Sequence, residues 1–199
     1  ERSRMQDGLR AYADESVYAT GDHRMYLVCA TVFGGGADTQ LDAFASVKPK
    51  GAAKLHWRDM PVRLQTSSLE ALASVAHSST VIVGAPLDGV RQERGRRLCL
   101  QTLIPILEGR GINLLAMESR NPTLDQRDVE LLDALRKRGH AGPIRLEHVR
   151  GEADVRLWVP DQILGAYGDE IVGRPKTQRW SDAWESVRES VERVDIPLR

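Results

Sequence analysis

Two apolar stretches near the start of the chain, residues 9–17 and 25–33, are separated by only a short polar turn. Residues that favour turns bound each stretch, which predicts two neighbouring antiparallel strands. Further strands are predicted at residues 80–87, 111–119 and 144–150, and helical patterns alternate with them. A hairpin followed by alternating strands and helices indicates an α/β protein with a mixed sheet flanked by helices. A purely parallel, doubly wound sheet does not normally begin with a hairpin.

Helices are predicted at residues 64–77, 91–109 and 123–138, after a loop-rich stretch that follows the second strand. The third of these follows Asn121-Pro122 and ends with basic residues, as capping and the helix dipole favour. A fourth helix, rich in small residues, is predicted to open near Trp158.

The last predicted helix is amphipathic and covers residues 180–194. Its apolar residues recur at alternating spacings of four and three, which makes one continuous stripe: Trp180, Trp184, Val187, Val191 and Val194. We expect this stripe to pack on the protein's own sheet, since most amphipathic helices do so. The alternative is a homodimer formed through this helix.

Composition predicts a single domain over residues 1–199, with 41% hydrophobic and 28% charged residues. The formal net charge is zero, so the chain as a whole has no basic field that would indicate a nucleic-acid partner. A polyanion would have to be bound locally. Cys29 and Cys99 lie in apolar stretches, where we expect reduced core thiols. No signal peptide and no apolar run of about 18 residues is visible, so a cytoplasmic protein without membrane contact is expected.

Acidic residues stand where several predicted elements begin or end. Asp14 and Glu15 lie at the end of the first strand, Glu118 ends a later strand, and Asp161 follows Pro160 at the start of a helix. An uncompensated carboxylate in a core costs about 3–5 kcal/mol. A divalent cation such as Mg²⁺ or Mn²⁺ would compensate these charges, because hard cations prefer oxygen ligands.

Each acid also has a purely structural interpretation. Neighbours on a strand point to opposite faces, so we expect Asp14 to be the ligand and Glu15 a supporting or surface acid. Asp14 could instead cap a turn, and Glu118 could simply begin one. Asp161 in a first helical turn would stabilise the helix dipole. Their occurrence in separate elements of one sheet favours the metal site.

Basic residues near these acids are candidates for substrate contacts. His56 lies in a loop-rich segment with Lys54 and Arg58, where it can position a phosphate or protonate a leaving group, although a packed or surface histidine fits equally well. The loop containing Arg174, Lys176 and Arg179 is the other candidate, because it follows the helix that carries Asp161. The remaining basic clusters, at residues 91–97 and 136–138, are typical of solvated helix faces.

Several of these motifs together resemble the bacterial domain-of-unknown-function 3800 family, whose members are similar to RNase H-like proteins. The resemblance covers residues 9–172 and rests on Asp14-Glu15-Ser16, Lys54-Leu55-His56-Trp57, the strand that ends at Glu118, and Asp161-Gln-Ile-Leu-Gly-Ala166. It implies an RNase H-like fold and a metal-dependent nuclease in which Asp14, Glu118 and Asp161 bind the metal. The chain departs from the family pattern at Val17, where glycine is usual, and at Trp158-Val-Pro before Asp161.

We therefore predict a Mg²⁺- or Mn²⁺-dependent nuclease that acts on RNA or DNA, with catalytic residues Asp14, Glu118 and Asp161 supported by Glu15 and His56. Two metal ions bridged by such acids activate water and stabilise a leaving oxygen. The first alternative is a non-catalytic binding or regulatory module of the same fold, which the neutral net charge favours. The second is a hydrolase of small phosphorylated metabolites. No glycine-rich nucleotide loop or serine nucleophile motif is present.

Overall fold

The computed structural model describes residues 9–174 and 176–198, which form an α/β structure around one mixed sheet. Six strands lie in the order β5-β4-β1-β2-β3-β6. Their bounds are β1 Leu9–Ala19, β2 Arg24–Phe33, β3 His77–Ala85, β4 Ile112–Glu118, β5 Arg145–Val149 and β6 Val191–Pro197. β1, β2 and β3 pair antiparallel, β4 and β5 extend the sheet parallel to β1, and β6 is parallel to β3. The predicted mixed α/β sheet with an initial hairpin is confirmed.

Helices cover both faces of the sheet. Their bounds are α1 Ala37–Ala45, α2 Val62–Leu72, α3 Gln92–Gly109, α4 Pro122–Lys137, α5 Trp158–Val172 and α6 Gln178–Arg188. One apolar core lies between the sheet and α1, α2, α5 and α6, and we call this side of the sheet the α5 face. A second core lies between the sheet and α3 and α4 on the opposite side, which we call the α3 face. The sheet is therefore buried on both sides.

Alternation along β1 sends its side chains to the two faces in turn. Ala11 and Ala13 belong to the core of the α3 face, whereas Tyr18 belongs to the core of the α5 face. Asp14 therefore projects on the α5 face and Glu15 on the α3 face, because successive strand residues point in opposite directions.

The end of β4 brings a second acid next to Asp14. Ala13 is paired with Met117 in the parallel register, so Glu118, the last residue of β4, lies beside Asp14 at the same end of the sheet. β1 continues to Ala19 beyond this point. An open edge of β1 therefore adjoins the carboxyl end of β4.

Two glycines let α5 lie close to the sheet and to the segment that carries His56. A Cβ atom on Gly165 would lie 2.0 Å from the Trp57 ring, and one on Gly168 would lie 2.1 Å from the Tyr18 ring. The Trp57 indole nitrogen also donates a hydrogen bond to Asp169 of α5 at 3.1 Å. These contacts fix the distance between α5 and β1.

One loop prediction and one helix prediction were wrong in part. Residues 37–45, expected to be loop, form α1, whose buried Ala37, Leu41 and Phe44 follow a four-three spacing. The helix expected at residues 64–77 ends at Leu72, because His77 already pairs with Phe33 as the first residue of β3.

The amphipathic helix predicted at residues 180–194 is also wrong in its second half. α6 ends at Arg188, and residues 191–197 form β6, which pairs with β3 from Ser79 to Ala85. The helical spacing of the apolar residues continues past 188, but β3 would otherwise present an open edge, and its backbone hydrogen bonds decide the structure. Within α6, Trp180, Trp184 and Val187 are buried in the core of the α5 face, as expected for a helix docked on its own sheet. This face gives the homodimer alternative no support.

Several local predictions are confirmed. Asn121 caps α4 by accepting a hydrogen bond from Leu124 N at 3.0 Å, with Pro122 at the first helical position. Cys29 and Cys99 are buried and unpaired, and burial raises the pKa of both thiols to about 12. Within the described residues, every helix is too short or too polar to cross a bilayer.

Candidate metal centre and active-site cleft

A polar cleft of about 430 Å³ lies along the open edge of β1 where β4 ends. All five residues that the sequence predicted line it: Asp14, Glu15, His56, Glu118 and Asp161. The other lining residues are Ser16, Val17, Tyr26, Lys54, Arg58 and Gln92. The fold thus brings together acids that are up to 147 positions apart in the chain.

Asp14 is the central carboxylate of the cleft and is partly buried. Its Oδ1 accepts a hydrogen bond from the backbone N–H of Glu15 at 2.7 Å. Burial, followed by repulsion from Asp161 and Glu118, raises the pKa of Asp14 well above its ordinary value, and Lys54 opposes this only in part. Burial and the two neighbouring acids therefore both disfavour the charged form of Asp14.

Asp161 faces the same cleft from the first turn of α5. Its Oδ2 accepts hydrogen bonds from the backbone N–H of Trp57 at 2.8 Å and from Gln162 Nε2 at 3.0 Å. Burial raises the pKa of Asp161 despite the hydrogen bond from Trp57. The residues Trp158-Val-Pro, which differ from the family pattern, therefore leave the Asp161 carboxylate in the cleft. Asp161 lies at the start of the helix, as the sequence predicted.

Glu118 is paired with Lys54. The Lys54 Nζ atom lies 2.5 and 2.6 Å from the two carboxylate oxygens of Glu118, and both side chains are about three-quarters buried, at 22% and 27% exposure. Lys54 provides a single positive charge for a group of three carboxylates. A further cation would thus find favourable electrostatics here.

Gly151 makes room for Glu118. A Cβ atom at this position would lie 2.4 Å from a Glu118 carboxylate oxygen, so any larger residue would displace that side chain. The carbonyl of Gly151 accepts a hydrogen bond from the Trp158 indole nitrogen at 2.7 Å, which anchors the turn to the start of α5. Trp158, one of the departures from the family pattern, thus helps to place Glu118.

His56 and Arg58 line the same cleft as the acids. His56 is 41% exposed, and its Nδ1 lies 3.9 Å from Asp59 without a hydrogen-bond partner among the described residues. Arg58 donates hydrogen bonds of 2.8 Å to Ser16 Oγ and to the Val17 carbonyl, and its guanidinium lies over the Tyr18 ring. His56 is therefore accessible to a ligand, whereas Arg58 is partly held by β1.

Glu15 belongs to a different group of charges on the α3 face. It contacts the Arg96 guanidinium and the Tyr26 hydroxyl, and Arg120 Nε lies 3.9 Å from it. The expectation that Glu15 and Asp14 point to opposite faces is confirmed. Because arginines already neutralise Glu15, it is placed to position β1 rather than to bind a metal.

The same arginines hold a cluster of acids that the sequence interpretation missed. Arg96, only 1% exposed, donates hydrogen bonds of 2.9 and 2.7 Å to Asp128, and His148 Nε2 lies 3.0 Å from that carboxylate. Burial alone would raise the pKa of Asp128, but the hydrogen bonds from His148 and Arg96 outweigh it and lower the pKa far below its ordinary value. We call Glu15, Arg96, Arg120, Asp128 and His148 the arginine network.

Among the described residues, Asp125, Asp128 and His148 bring one ligand atom each within 4.8 Å of one another, as a metal site requires. Two arginines already bind Asp128, since Arg120 Nη2 also lies 3.3 Å from it. A metal ion would have to displace these built-in cations. The geometry therefore fits a structural ion-pair network better than a metal site.

The basic side chains of the loop at residues 174–179, which we expected to contact phosphate, bind acidic residues of the protein. Arg174 and Lys176 each lie 2.7 Å from Asp169, and Arg179 binds Glu70 at 2.5 and 2.7 Å. None of the three lines the cleft. This expectation is not supported, because internal acids take up the positive charge that phosphate would need.

Comparison with known proteins adds no family name. Neither the models of protein families nor the curated proteins contain a match to this chain.

Proposed function

We propose that the protein is a Mg²⁺- or Mn²⁺-dependent nuclease of RNase H-like type that hydrolyses phosphodiester bonds of RNA or DNA. The observation that carries this proposal is the convergence of Asp14, Glu118 and Asp161, from β1, β4 and α5, in one polar cleft. The initial antiparallel strands and the parallel addition of β4 to β1 support the fold that the family resemblance implies. The polar residues quoted for that resemblance line the cleft, with the exception of Gln162: Asp14, Glu15, Ser16, Lys54, His56, Glu118 and Asp161.

The residues fit a divalent cation. Three carboxylates supply hard oxygen ligands, and the raised pKa values of Asp14 and Asp161 reflect negative charge that is not neutralised. The cleft is open to solvent, which leaves room for water and a substrate phosphate in addition to protein ligands. In this interpretation Asp14, Glu118 and Asp161 hold the metal.

Bound divalent ions would supply an activated water and neutralise charge on the leaving oxygen. The chain's own residues orient the substrate. Lys54 and Arg58 place positive charge on the wall of the cleft, where phosphate oxygens can accept their hydrogen bonds. His56 has a partly exposed side chain but a buried Nδ1, so it would use Nε2 to bind a phosphate or donate a proton to the leaving group.

One observation favours a non-catalytic binding module as the second candidate. The Lys54 ammonium binds both oxygens of Glu118, so one of the three ligands already has a counter-charge. A protein that used the fold only to bind a partner would gain stability from this pair and need no metal. The two candidates differ in whether a divalent cation binds the cleft.

Mn²⁺ binding measured by calorimetry on the wild type, Asp14→Asn and the matched control Asp22→Asn separates them. Asp22 lies in the exposed turn after β1, outside the cleft. We expect binding to wild type and control, and its loss in Asp14→Asn. Cleavage of RNA, DNA and hybrid strands should fall more than about 100-fold in Asp14→Asn, since even outer partners of metal sites change activity by 10- to 100-fold.

Wild-type cleavage by Asp14→Asn would refute the assignment of this residue. Absence of metal binding to the folded wild type, with an oligonucleotide present, would favour the binding module. Circular dichroism of each variant shows whether the fold is retained.

A further inference from the structure

A second concave surface lies between the N-terminal half of α3 and α4. It encloses about 470 Å³ and is lined on the α3 side by Arg91, Arg94 and Arg97, and on the α4 side by Arg127. Leu131 forms part of its floor. We call this surface the arginine groove.

The arginine groove has an excess of positive charge. Three acids line it, but Glu93 is bound by Arg120 at 2.6 Å and Asp128 by Arg96 at 2.7 Å, which leaves Glu130. In contrast, the exposed side chains of Arg91, Arg97 and Arg127 form no ion pair with any residue in 9–174 or 176–198. A chain with zero net charge thus concentrates unpaired arginines on one surface.

The arginine groove begins where the candidate cleft ends. Gln92 lines the cleft, and its neighbour Arg91 lines the groove. Arg91, Arg94 and Arg97 recur every third residue and therefore lie along one side of the start of α3. At about 1.5 Å per residue they cover roughly 9 Å leading away from the cleft.

We propose that the arginine groove binds the phosphate backbone of a nucleic-acid strand whose reacting phosphate lies in the cleft. The direction of the strand rests on the proposed function, whereas the affinity of the groove for phosphates rests on its own charges. Guanidinium groups bind phosphate oxygens through paired hydrogen bonds, which makes arginine well suited to this contact. Among the residues that the structure describes, no aromatic side chain lines the groove, so binding here depends on charge and not on base stacking.

This proposal predicts that binding depends on the length of the strand. A strand that fills only the cleft meets Lys54, His56 and Arg58, whereas a longer one also reaches the arginine groove. Binding of long strands should therefore depend on Arg97 and Arg127, and binding of short strands should not.

The test compares Arg97→Ala/Arg127→Ala with the matched control Arg63→Ala/Lys137→Ala, which removes two exposed charges outside both concave surfaces. Fluorescence anisotropy in EDTA follows labelled single strands of about 16 and about 4 nucleotides over a salt series. Each lost contact should lower the slope of log affinity against log salt by about 0.7 for single strands. We expect a drop of about 1.4 in the groove variant with the long strand, and no drop with the short strand or in the control.

Equal slopes in the two variants would overturn the proposal. Binding of poly-glutamate, but not of oligonucleotides, would assign the arginine groove to an acidic protein partner and overturn it as well. Groove-dependent binding without cleavage in Mn²⁺ would uphold the groove and refute the proposed nuclease. Cleavage of the long strand with an unchanged salt slope would refute the groove alone.

Discussion

Asp14 and Glu15 are neighbours in the chain, but they meet opposite electrostatic environments. On the α5 face, Asp14 joins Glu118 and Asp161 around a single lysine, and the pKa of Asp14 is raised. On the α3 face, Glu15 and Asp128 are bound by Arg96 and Arg120, and the pKa of Asp128 is lowered. Both groups of acids lie at the same end of the sheet.

The difference separates an acidic cluster that supports the fold from one that serves a site. In the arginine network, the guanidinium groups of the protein neutralise the acids and stabilise the packing of α3 and α4 on β1. A cluster with too few internal cations costs stability until an external cation binds. The arginine network also binds Glu15 of β1 on the α3 face. It therefore helps to position the strand that carries Asp14 on the α5 face.

Replacement of Arg96 by Met should give the largest loss of stability. The substitution leaves Asp128, which is 3% exposed, without its main counter-charge, and broken buried ion pairs cost about 3–5 kcal/mol. The free energy of unfolding from urea denaturation measures this loss. Arg24→Met removes an exposed ion pair with Asp88 and should change stability far less, because solvent screens that pair.

If Arg96→Met and Arg24→Met were equally stable, the arginine network would not be a structural support. The contrast between the two faces would then lose its physical basis.

Gly165→Ala tests how α5 positions the carboxylates on the α5 face. The added methyl group would lie 2.0 Å from the Trp57 ring, and relief of this clash moves the segment whose backbone N–H binds Asp161. Overpacking of this kind costs about 1–3 kcal/mol. Thermal unfolding should show the loss, and Mn²⁺ affinity should fall with it.

Gly109→Ala is the matched control, because nothing lies within 4 Å of a Cβ atom at the end of α3. This variant should be as stable as the wild type or slightly more so, since alanine favours a helix more than glycine does. Unchanged metal affinity in Gly165→Ala would show that Trp57 does not position Asp161.

The smallest effect concerns stability and pH. Because the folded-state pKa of Asp14 is raised, its contribution to stability is present below its ordinary pKa and is lost as pH rises through the folded value. Asp14→Asn should therefore match the wild type in acid and become more stable toward neutral pH. A gain of about 2–4 °C in Tm corresponds to about 1 kcal/mol in a chain of this size.

Saturating Mn²⁺ should raise the Tm of the wild type at neutral pH but not that of Asp14→Asn, which closes the gap between them. A variant less stable than the wild type at every pH would show that the Asp14 carboxylate is stabilising.

The sequence predicts the sheet and the acids well, because both depend on local patterns. The strand end at Glu118 and the helix start at Asp161 follow from apolar runs and turn residues, and the parallel pairing of β1 with β4 brings Glu118 beside Asp14. The strand end predicted at Asp14 and Glu15 is wrong, because β1 continues to Ala19 through its pairing with β2. The pairing of Lys54 with Glu118 depends on a contact 64 positions apart, which no local pattern contains.

Tertiary contacts decide the elements that the sequence interpretation missed. β6 follows the same apolar spacing as α6, and only the open edge of β3 makes it a strand. The expectation that Arg96 belongs to a solvated basic run is wrong, because Arg96 is buried on the same helix face as Cys99, Leu100 and Leu103. An arginine within such an apolar stripe is a recognisable sign of a buried ion pair.

The pairing of β3 with β6 has a consequence for how the protein is made. Residues 79–85 are synthesised more than 100 residues before their partners at 191–197. The edge of β3 therefore stays unpaired while the residues between them are synthesised. Contacts so distant in sequence form slowly, and an unpaired strand edge can bind other chains meanwhile. A nascent chain is therefore exposed to aggregation at the edge of β3 until β6 completes the sheet.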